Sequence, residues 1–130
     1  MERQKGLICV IEDNKSISKL FATILNKSGY QTIEFQDATS ALEWLQSNQP
    51  ICILTDVLLP DMNGTELLMN IRNNDLLASI PVIAITGLAQ PGDEKKLLSA
   101  GFDGYMSKPI NISTFVSDIE KVIESKKQQK

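Results

Sequence analysis

Short apolar runs alternate with longer amphipathic segments along the chain. Five of these runs have the length and composition of buried β-strands, and they cover residues 7–11, 30–35, 51–55, 81–86 and 104–107. The intervening segments repeat apolar residues at helical spacing, as the first segment does with Ile17, Leu20, Phe21, Ile24 and Leu25. Strands that are apolar on both faces and alternate with helices predict an α/β fold, in which a doubly wound parallel sheet is covered on both sides.

Polar residues and glycines between the runs predict where the first three helices begin and end. Asn14 and Asp37 have side chains that can cap the first and second helices, and Gly29 is expected to end the first. The loop formed by residues 57–64 is expected to lead into a third helix over residues 65–73. The chain up to this point therefore contains three βα units.

The remainder of the chain predicts two more βα units. Pro91 is expected to open the fourth helix, which ends at Ala100, before Gly101. Asn111 is expected near the N-cap of the last helix. The apolar positions of that helix are Ile112, Phe115, Ile119, Val122 and Ile123.

The size and charge of the chain exclude several classes of protein. A length of 130 residues predicts a single domain over residues 1–130, with a core over about 6–123 and a polar tail over 124–130. The initiating Met1 and this tail favour a complete small protein. A net charge of −3 argues against binding to nucleic acid. No apolar run reaches the roughly 18–20 residues of a membrane span, and the first residues are too polar for a signal peptide, so we expect a cytoplasmic protein without membrane contact.

The chain contains no histidine, which limits the chemistry open to it. Ser-His-Asp and Cys-His catalysis, histidine-containing metal sites and the histidine side of a phosphotransfer pair are all excluded. The two cysteines, Cys9 and Cys52, lie inside apolar runs and form no CxxC pair, so both are expected to be reduced and buried. Any chemistry must therefore use carboxylates, hydroxyls, lysine or a bound metal ion.

Polar side chains follow the predicted strands at the point where each strand ends. They are Glu12, Asp13, Asp56, Thr86 and Lys108. In an open parallel sheet the carboxyl ends of the strands share one edge, and ligands bind there. Three carboxylates held close together repel one another unless a cation lies between them, and a set of oxygen ligands suits Mg²⁺. Because Mg²⁺ and Lys108 together balance the charge of the three carboxylates, such a site is suited to accept a phosphoryl group.

This pattern resembles the receiver domains of two-component response regulators, the CheY-like superfamily, over about residues 6–123. The residues that carry the resemblance are Glu12, Asp13, Asp56, Pro60, Gly64, Thr86, Tyr105, Lys108 and Pro109. The resemblance implies a flavodoxin-like sheet with strand order 2-1-3-4-5 and a cis peptide bond between Lys108 and Pro109.

The resemblance also implies the chemistry of the site. Asp56 is the implied phosphoacceptor, and the donor is a sensor histidine kinase or a histidine phosphotransfer protein. Mg²⁺, for which Mn²⁺ can substitute, is implied to bind to Asp13, Asp56 and the backbone carbonyl of Leu58, and to Glu12 chiefly through water. Lys108 is implied to stabilise the phosphoryl oxygens. Glu12 stands where aspartate is commoner in the family.

Further consequences concern the phosphorylated state. Thr86 and Tyr105 are implied to report the phosphoryl group to the surface formed by the fourth helix, the fifth strand and the fifth helix. The domain is implied to be a phosphoacceptor rather than an enzyme, with at most intrinsic autophosphatase activity. Leu58 and Leu88, each two residues after a site residue, are apolar where they would shield the acyl phosphate from water, which predicts a long-lived phosphorylated state.

Other functions compete with this interpretation. A non-catalytic interaction scaffold with the same fold, a pseudo-receiver, would ignore Mg²⁺ and phosphoryl donors. A haloacid-dehalogenase-like phosphatase normally has a second aspartate where this chain has Leu58. A flavin- or nucleotide-binding module is disfavoured because no GxGxxG or GxxxxGK[ST] loop follows the first strand. The residues do not distinguish a stand-alone receiver, a phosphorelay shuttle and a receiver of a hybrid kinase.

Overall fold

The computed structural model describes residues 5–87 and 92–128, which form a five-stranded parallel sheet between two layers of helices. The strands are β1 (Leu7–Ile11), β2 (Gln31–Phe35), β3 (Cys52–Asp56), β4 (Val82–Thr86) and β5 (Gly104–Ser107). The helices are α1 (Lys15–Lys27), α2 (Ala38–Leu45), α3 (Gly64–Arg72), α4 (Asp93–Ala100) and α5 (Phe115–Gln128). The strand order β2-β1-β3-β4-β5 confirms the flavodoxin-like, doubly wound prediction.

The two faces of the sheet form two separate cores. Helices α2, α3 and α4 cover one face, where Leu45, Leu67 and Ile71 are buried. Helices α1 and α5 cover the other face, where the rings of Phe21 and Phe115 stack with their centroids 5.1 Å apart. Every residue of β3 and β4 is buried, which explains why these strands are nearly continuous apolar runs in the sequence.

Local interactions begin and end the first helices as the sequence predicts. The Asn14 Oδ1 atom accepts a hydrogen bond from the Ile17 N–H at 3.1 Å, and the Asp37 Oδ1 atom accepts one from the Ser40 N–H at 2.7 Å. Gly29 follows α1 with a φ of 100°, a backbone conformation that glycine adopts without strain. The predicted roles of all three residues are confirmed.

The predicted start of α5 is wrong. Asn111 does not cap this helix, because its Oδ1 atom accepts hydrogen bonds from the backbone N–H and the hydroxyl of Ser113, at 3.1 and 2.7 Å, and so closes a local turn. The helix begins at Phe115. Ile112 therefore precedes the helix and is 62% exposed.

Helix α5 extends into the predicted polar tail and continues to Gln128, so the tail is helical over the residues that the structure describes. Its last turn is stabilised by the Lys126 Nζ atom, 3.0 Å from Asp103 Oδ1, and basic side chains are favourable at the C-terminal end of a helix dipole. The polar composition here reflects an exposed helical turn.

Two predicted positions, Leu88 and Pro91, lie outside the described residues. The described part of α4 begins at Asp93 and ends before Gly101, as expected.

The two cysteine thiols are free and completely buried. Burial raises the pKa of Cys9 to about 12 and also raises the pKa of Cys52. The expectation of reduced, buried cysteines is confirmed. No helix within residues 5–87 and 92–128 is long and apolar enough to cross a membrane.

Candidate functional site

The carboxyl ends of the strands lie side by side at one edge of the sheet. The strand register pairs Ile11 with Thr55, and Thr86 with Ser107. The chain passes from β1 to β2 on one side and reaches β3 on the other, so the strand order reverses between β1 and β3. Open α/β sheets bind ligands at this reversal point.

Three carboxylates meet at the reversal point. Glu12 and Asp13 follow β1, Asp56 is the last residue of β3, and one oxygen atom of each lies within 4.8 Å of the others. Glu12 and Asp56 are buried, whereas Asp13 is exposed. Carboxylates held this close repel one another, so the cluster favours a cation.

Lys108 brings a positive charge to these carboxylates. Its backbone N–H donates to the Thr86 carbonyl at 2.9 Å, and its Nζ atom lies 2.8 Å from Asp56 Oδ2 and 2.6 Å from Glu12 Oε1. The peptide bond between Lys108 and Pro109 is cis, as the family resemblance implies. The structure therefore brings together the acidic pair, the strand-end aspartate and the lysine.

Burial and charge act against each other in this cluster. Burial raises the pKa of the Glu12 carboxyl, and the ion pair with Lys108 and the hydrogen bond from the Asn14 N–H oppose this increase without cancelling it. Burial alone would lower the pKa of Lys108, but its contacts with Asp56 and Glu12 outweigh burial and raise this pKa. Lys108 is therefore charged at neutral pH.

The β3–α3 loop, residues 57–63, folds back on itself after Asp56. The Gly64 N–H donates to the Val57 carbonyl at 2.8 Å, and Leu58 forms an antiparallel bridge with Asn63. A Cβ atom at Gly64 would lie only 2.8 Å from the Val57 Cα atom, so this close approach requires glycine. The Leu58 N–H donates to Asp56 Oδ1 at 3.1 Å. The loop backbone therefore holds one carboxylate oxygen of Asp56.

Thr86 and Tyr105 lie on the same face of the sheet. Thr86, at the end of β4, is buried, and Tyr105 is paired in register with Ala84, two residues before Thr86. Burial raises the pKa of the half-buried Tyr105 hydroxyl, and the charges of Asp93 and Glu94 add to this effect.

Leu58 extends away from the protein core. Its side chain is 54% exposed and lines a cavity of about 320 Å³ together with Thr86 and Lys96. Its effect on water near Asp56 stays a prediction.

Asp61 makes contacts that the sequence did not indicate. Its carboxylate accepts hydrogen bonds from the backbone N–H groups of Ala38 at 3.0 Å and Thr39 at 2.8 Å, and from the Thr39 hydroxyl. In the sequence Asp61 is an acidic residue directly after Pro60, which by itself indicates only a turn. Its contact with the first turn of α2 becomes visible only in the folded chain.

Residues 8–120 match the family model of the response regulator receiver domain. The chain belongs to this family. It is thus a receiver domain of two-component signalling, and family membership decides against the phosphatase interpretation.

Three relatives of this receiver domain illustrate the match. The polar-differentiation response regulator DivK of Brucella anthropi is 35% identical over 116 residues, which cover 89% of this chain and 94% of that protein. The receiver domain of a signal transduction histidine kinase from Syntrophus aciditrophicus is 30% identical, with a TM-score of 0.83 and coverage of 96% of this chain and 95% of that chain. The receiver domain of a sensor histidine kinase from Pseudomonas aeruginosa PAO1 is 26% identical, with a TM-score of 0.83 and coverage of 92% and 98%, and has a magnesium ion coordinated in its active site cleft.

Proposed function

We propose that Asp56 of this receiver domain accepts a phosphoryl group from a phosphohistidine, in a reaction that depends on Mg²⁺. The observation that carries this proposal is the ion pair between Lys108 and Asp56 inside a cluster of three carboxylates. The donor is a sensor histidine kinase or a histidine phosphotransfer protein, because this chain has no histidine of its own to supply. We also propose that residues 1–130 belong to one receiver domain.

The carboxylate cluster fits Mg²⁺. Glu12 Oε1 is buried and forms an ion pair with Lys108, but it accepts no aligned hydrogen bond within the described residues, so it can still accept one from a water molecule. In the proposal Asp13, Asp56 and the Leu58 carbonyl hold the ion directly, and Glu12 holds it chiefly through water. Mn²⁺ prefers the same oxygen ligands and can substitute. When bound, the ion neutralises carboxylate charge and the charge of the phosphoryl oxygens.

Asp56 acts as the nucleophile in this proposal. One of its carboxylate oxygens attacks phosphorus and forms an O–P bond, while the N–P bond of the phosphohistidine breaks and its electron pair stays on the imidazole nitrogen. The Leu58 N–H orients Oδ1 of Asp56, and Lys108 Nζ contacts Oδ2. The Lys108 ammonium group stabilises the negative charge of the phosphoryl oxygens as they approach. This electrostatic stabilisation is stronger in a partly buried site than in water, because the charge is already oriented and is less screened. The reaction leaves an acyl phosphate on Asp56 and is not enzymatic turnover, with at most slow self-catalysed hydrolysis.

The phosphorylated state differs from the free state in charge. A phosphoryl group brings a charge of roughly −2 and strong acceptor oxygens. The Thr86 hydroxyl can then move towards Asp56 and donate a hydrogen bond to one of these oxygens. Tyr105, on the same face of the sheet, can then occupy the space that Thr86 leaves. Helix α4 has no buried residue among those described, so it is held less firmly than its neighbours. A partner can select between the two states at the surface of α4, β5 and α5.

Intact mass measurement tests the phosphorylation. The chain is incubated with a small acyl phosphate donor with Mg²⁺, and separately with an excess of chelator. We expect a mass gain of one phosphoryl group for the wild type with Mg²⁺, and none with chelator or for Asp56→Asn. Asp75→Asn, which removes an exposed carboxylate from the connection between α3 and β4, is the matched control and should gain mass as the wild type does. An equal gain in Asp56→Asn contradicts the proposal, and no gain in the wild type supports the scaffold function instead.

A further inference from the structure

Two carboxylates from different parts of the chain cap the first turn of α2. Asp37 accepts a hydrogen bond from the Ser40 N–H at 2.7 Å. Asp61, from the β3–α3 loop, accepts hydrogen bonds from the Ala38 N–H at 3.0 Å and the Thr39 N–H at 2.8 Å. The first N–H groups of a helix have no partner within it, and here three of them donate to carboxylates. The cap of α2 is therefore complete only when the β3–α3 loop is in place.

Asp61 is fixed more firmly than backbone capping alone requires. The Thr39 hydroxyl donates to Asp61 Oδ2, the oxygen that also accepts from the Thr39 N–H. These contacts, the Thr39 hydroxyl first, lower the pKa of the exposed Asp61 carboxyl to about 2. Hydrogen bonds to an ionised acceptor are stronger than those between neutral groups. The three hydrogen-bond donors therefore hold the Asp61 carboxylate in one position, although this side chain is exposed to solvent.

The fixed carboxylate belongs to the same short loop that holds Asp56. Within this loop Leu58 forms its bridge with Asn63, and the Leu58 N–H donates to Asp56 Oδ1. Asp61 lies between the two bridged residues in the chain, at the outer part of the loop. The bridged loop therefore gives a short backbone connection from Asp61 to Leu58.

The carboxylates that follow β1 are connected to the same region of the fold. The Glu12 N–H donates to the Phe35 carbonyl at the end of β2, at 2.9 Å. The Phe35 ring packs against Trp44 of α2, with ring centroids 5.8 Å apart. The turn that carries Glu12 is thus anchored to β2, which packs against α2, and the loop that follows Asp56 is anchored to α2.

We propose that Asp61 is a positioning residue for phosphoryl transfer, which sets the place of Leu58 relative to Asp56 through its contacts with Thr39 and the first turn of α2. This role rests on the proposed function, because it acts on the metal ligands named there. Asp61 works through the loop backbone and does not contact the phosphoryl group itself.

Calorimetric titration with Mg²⁺ alone tests this role on the folded chain. We expect Asp61→Asn and Thr39→Val each to bind Mg²⁺ about tenfold more weakly than the wild type, as for the loss of other groups that support a metal ligand. The double variant should bind no more weakly than Asp61→Asn, since both changes act on the same contact between Asp61 and the Thr39 hydroxyl. Thr39→Ser keeps the hydroxyl and should restore wild-type affinity, and Asp75→Asn controls for the lost charge.

Amide hydrogen exchange in the metal-free chain gives a second measurement. Exchange over residues 58–62 should be faster in Asp61→Asn and Thr39→Val than in the wild type and Thr39→Ser. If both variants lose thermal stability but keep wild-type Mg²⁺ affinity, the contact is only a helix cap and the positioning role is overturned. If the wild type itself binds no Mg²⁺, the proposed function is overturned, and the positioning role with it. The two failures are therefore distinguishable.

Discussion

Lys108 is shared between two carboxylates, and this sharing depends on the length of one side chain. Glu12 Oε1 lies 2.6 Å from Lys108 Nζ, while Glu12 Oε2 accepts a hydrogen bond from the Asn14 N–H at 3.0 Å. The glutamate thus spans from its own turn to the lysine, and Lys108 Nζ also lies 2.8 Å from Asp56 Oδ2. A substitution at position 12 is therefore expected to alter the contact between Lys108 and Asp56.

Glu12→Gln is expected to lower the pKa of Lys108. The raised pKa of this lysine comes from two carboxylates that outweigh burial, and the variant removes one of them. A group whose pKa is raised by folding adds stability below its ordinary pKa and loses it as pH rises through the folded value. The free energy of unfolding should therefore fall less steeply at alkaline pH in Glu12→Gln than in the wild type.

An NMR titration of the Lys108 side chain measures this pKa directly. Glu43→Gln, which neutralises an exposed glutamate on α2, is the control and should leave the Lys108 titration unchanged. A Lys108 pKa that is equal in Glu12→Gln and the wild type would show that the contact with Asp56 alone accounts for the raised pKa.

Leu58→Asn is expected to shorten the lifetime of the phosphorylated state several-fold. The leucine side chain cannot orient an attacking water molecule, whereas an asparagine amide can form a hydrogen bond to it. Loss of the phosphoryl group is followed by intact mass after the donor is removed. Met69→Asn also replaces an exposed apolar side chain by asparagine, on α3, and should decay like the wild type. Equal decay in all three proteins contradicts the shielding role of Leu58.

Elements with local signals were predicted from the sequence, and elements that depend on distant contacts were not. Strands β1 and β5 occupy the predicted residues, and Asn14 and Asp37 cap α1 and α2, because these features follow from apolar runs and caps within a few residues. The start of α5 was mispredicted because an asparagine side chain can either cap a helix or close a local turn. The sequence around Asn111 does not distinguish these two roles. The sharing of Lys108 and the contacts of Asp61 need three-dimensional proximity that no spacing encodes.

At the level of the α2 cap, Asp61→Asn is expected to lower the free energy of unfolding by about 1 kcal/mol at neutral pH, the usual size of a lost cap. Since folding lowers the pKa of Asp61 to about 2, its contribution is present above the ordinary aspartate value and is lost as pH falls through the folded value. The difference between wild type and variant should therefore shrink as the pH falls below about 4. Urea denaturation at several pH values measures it, with Asp75→Asn as the control. A difference that stays constant with pH contradicts the ionic nature of this cap.

At the scale of the whole molecule, one charged network holds the end of the sheet opposite the candidate site. Asp103, just before β5, accepts hydrogen bonds from Arg72 at 2.6 Å and from the Val82 N–H at 2.9 Å, and pairs with Lys126 at 3.0 Å. Arg72 also donates to the Ile80 carbonyl at 2.8 Å. Because α3 and α5 cover opposite faces of the sheet, Asp103 joins the two helical layers. In the sequence these residues are ordinary charges on separate elements, so the network was not predicted.

Asp103→Asn is therefore expected to destabilise the whole fold without altering the candidate site. The variant leaves the largely buried Arg72 guanidinium without its carboxylate, and the loss of a charged partner at such a position costs about 2–3 kcal/mol. Urea denaturation should show this loss in Asp103→Asn and almost none in Asp75→Asn, whose carboxylate is exposed. Calorimetric titration with Mg²⁺ should give the same affinity for the folded variant as for the wild type, because the network lies at the amino ends of the strands and the carboxylate cluster at their carboxyl ends. A variant that loses Mg²⁺ affinity together with stability would show that the two ends of the sheet are coupled, which contradicts this separation.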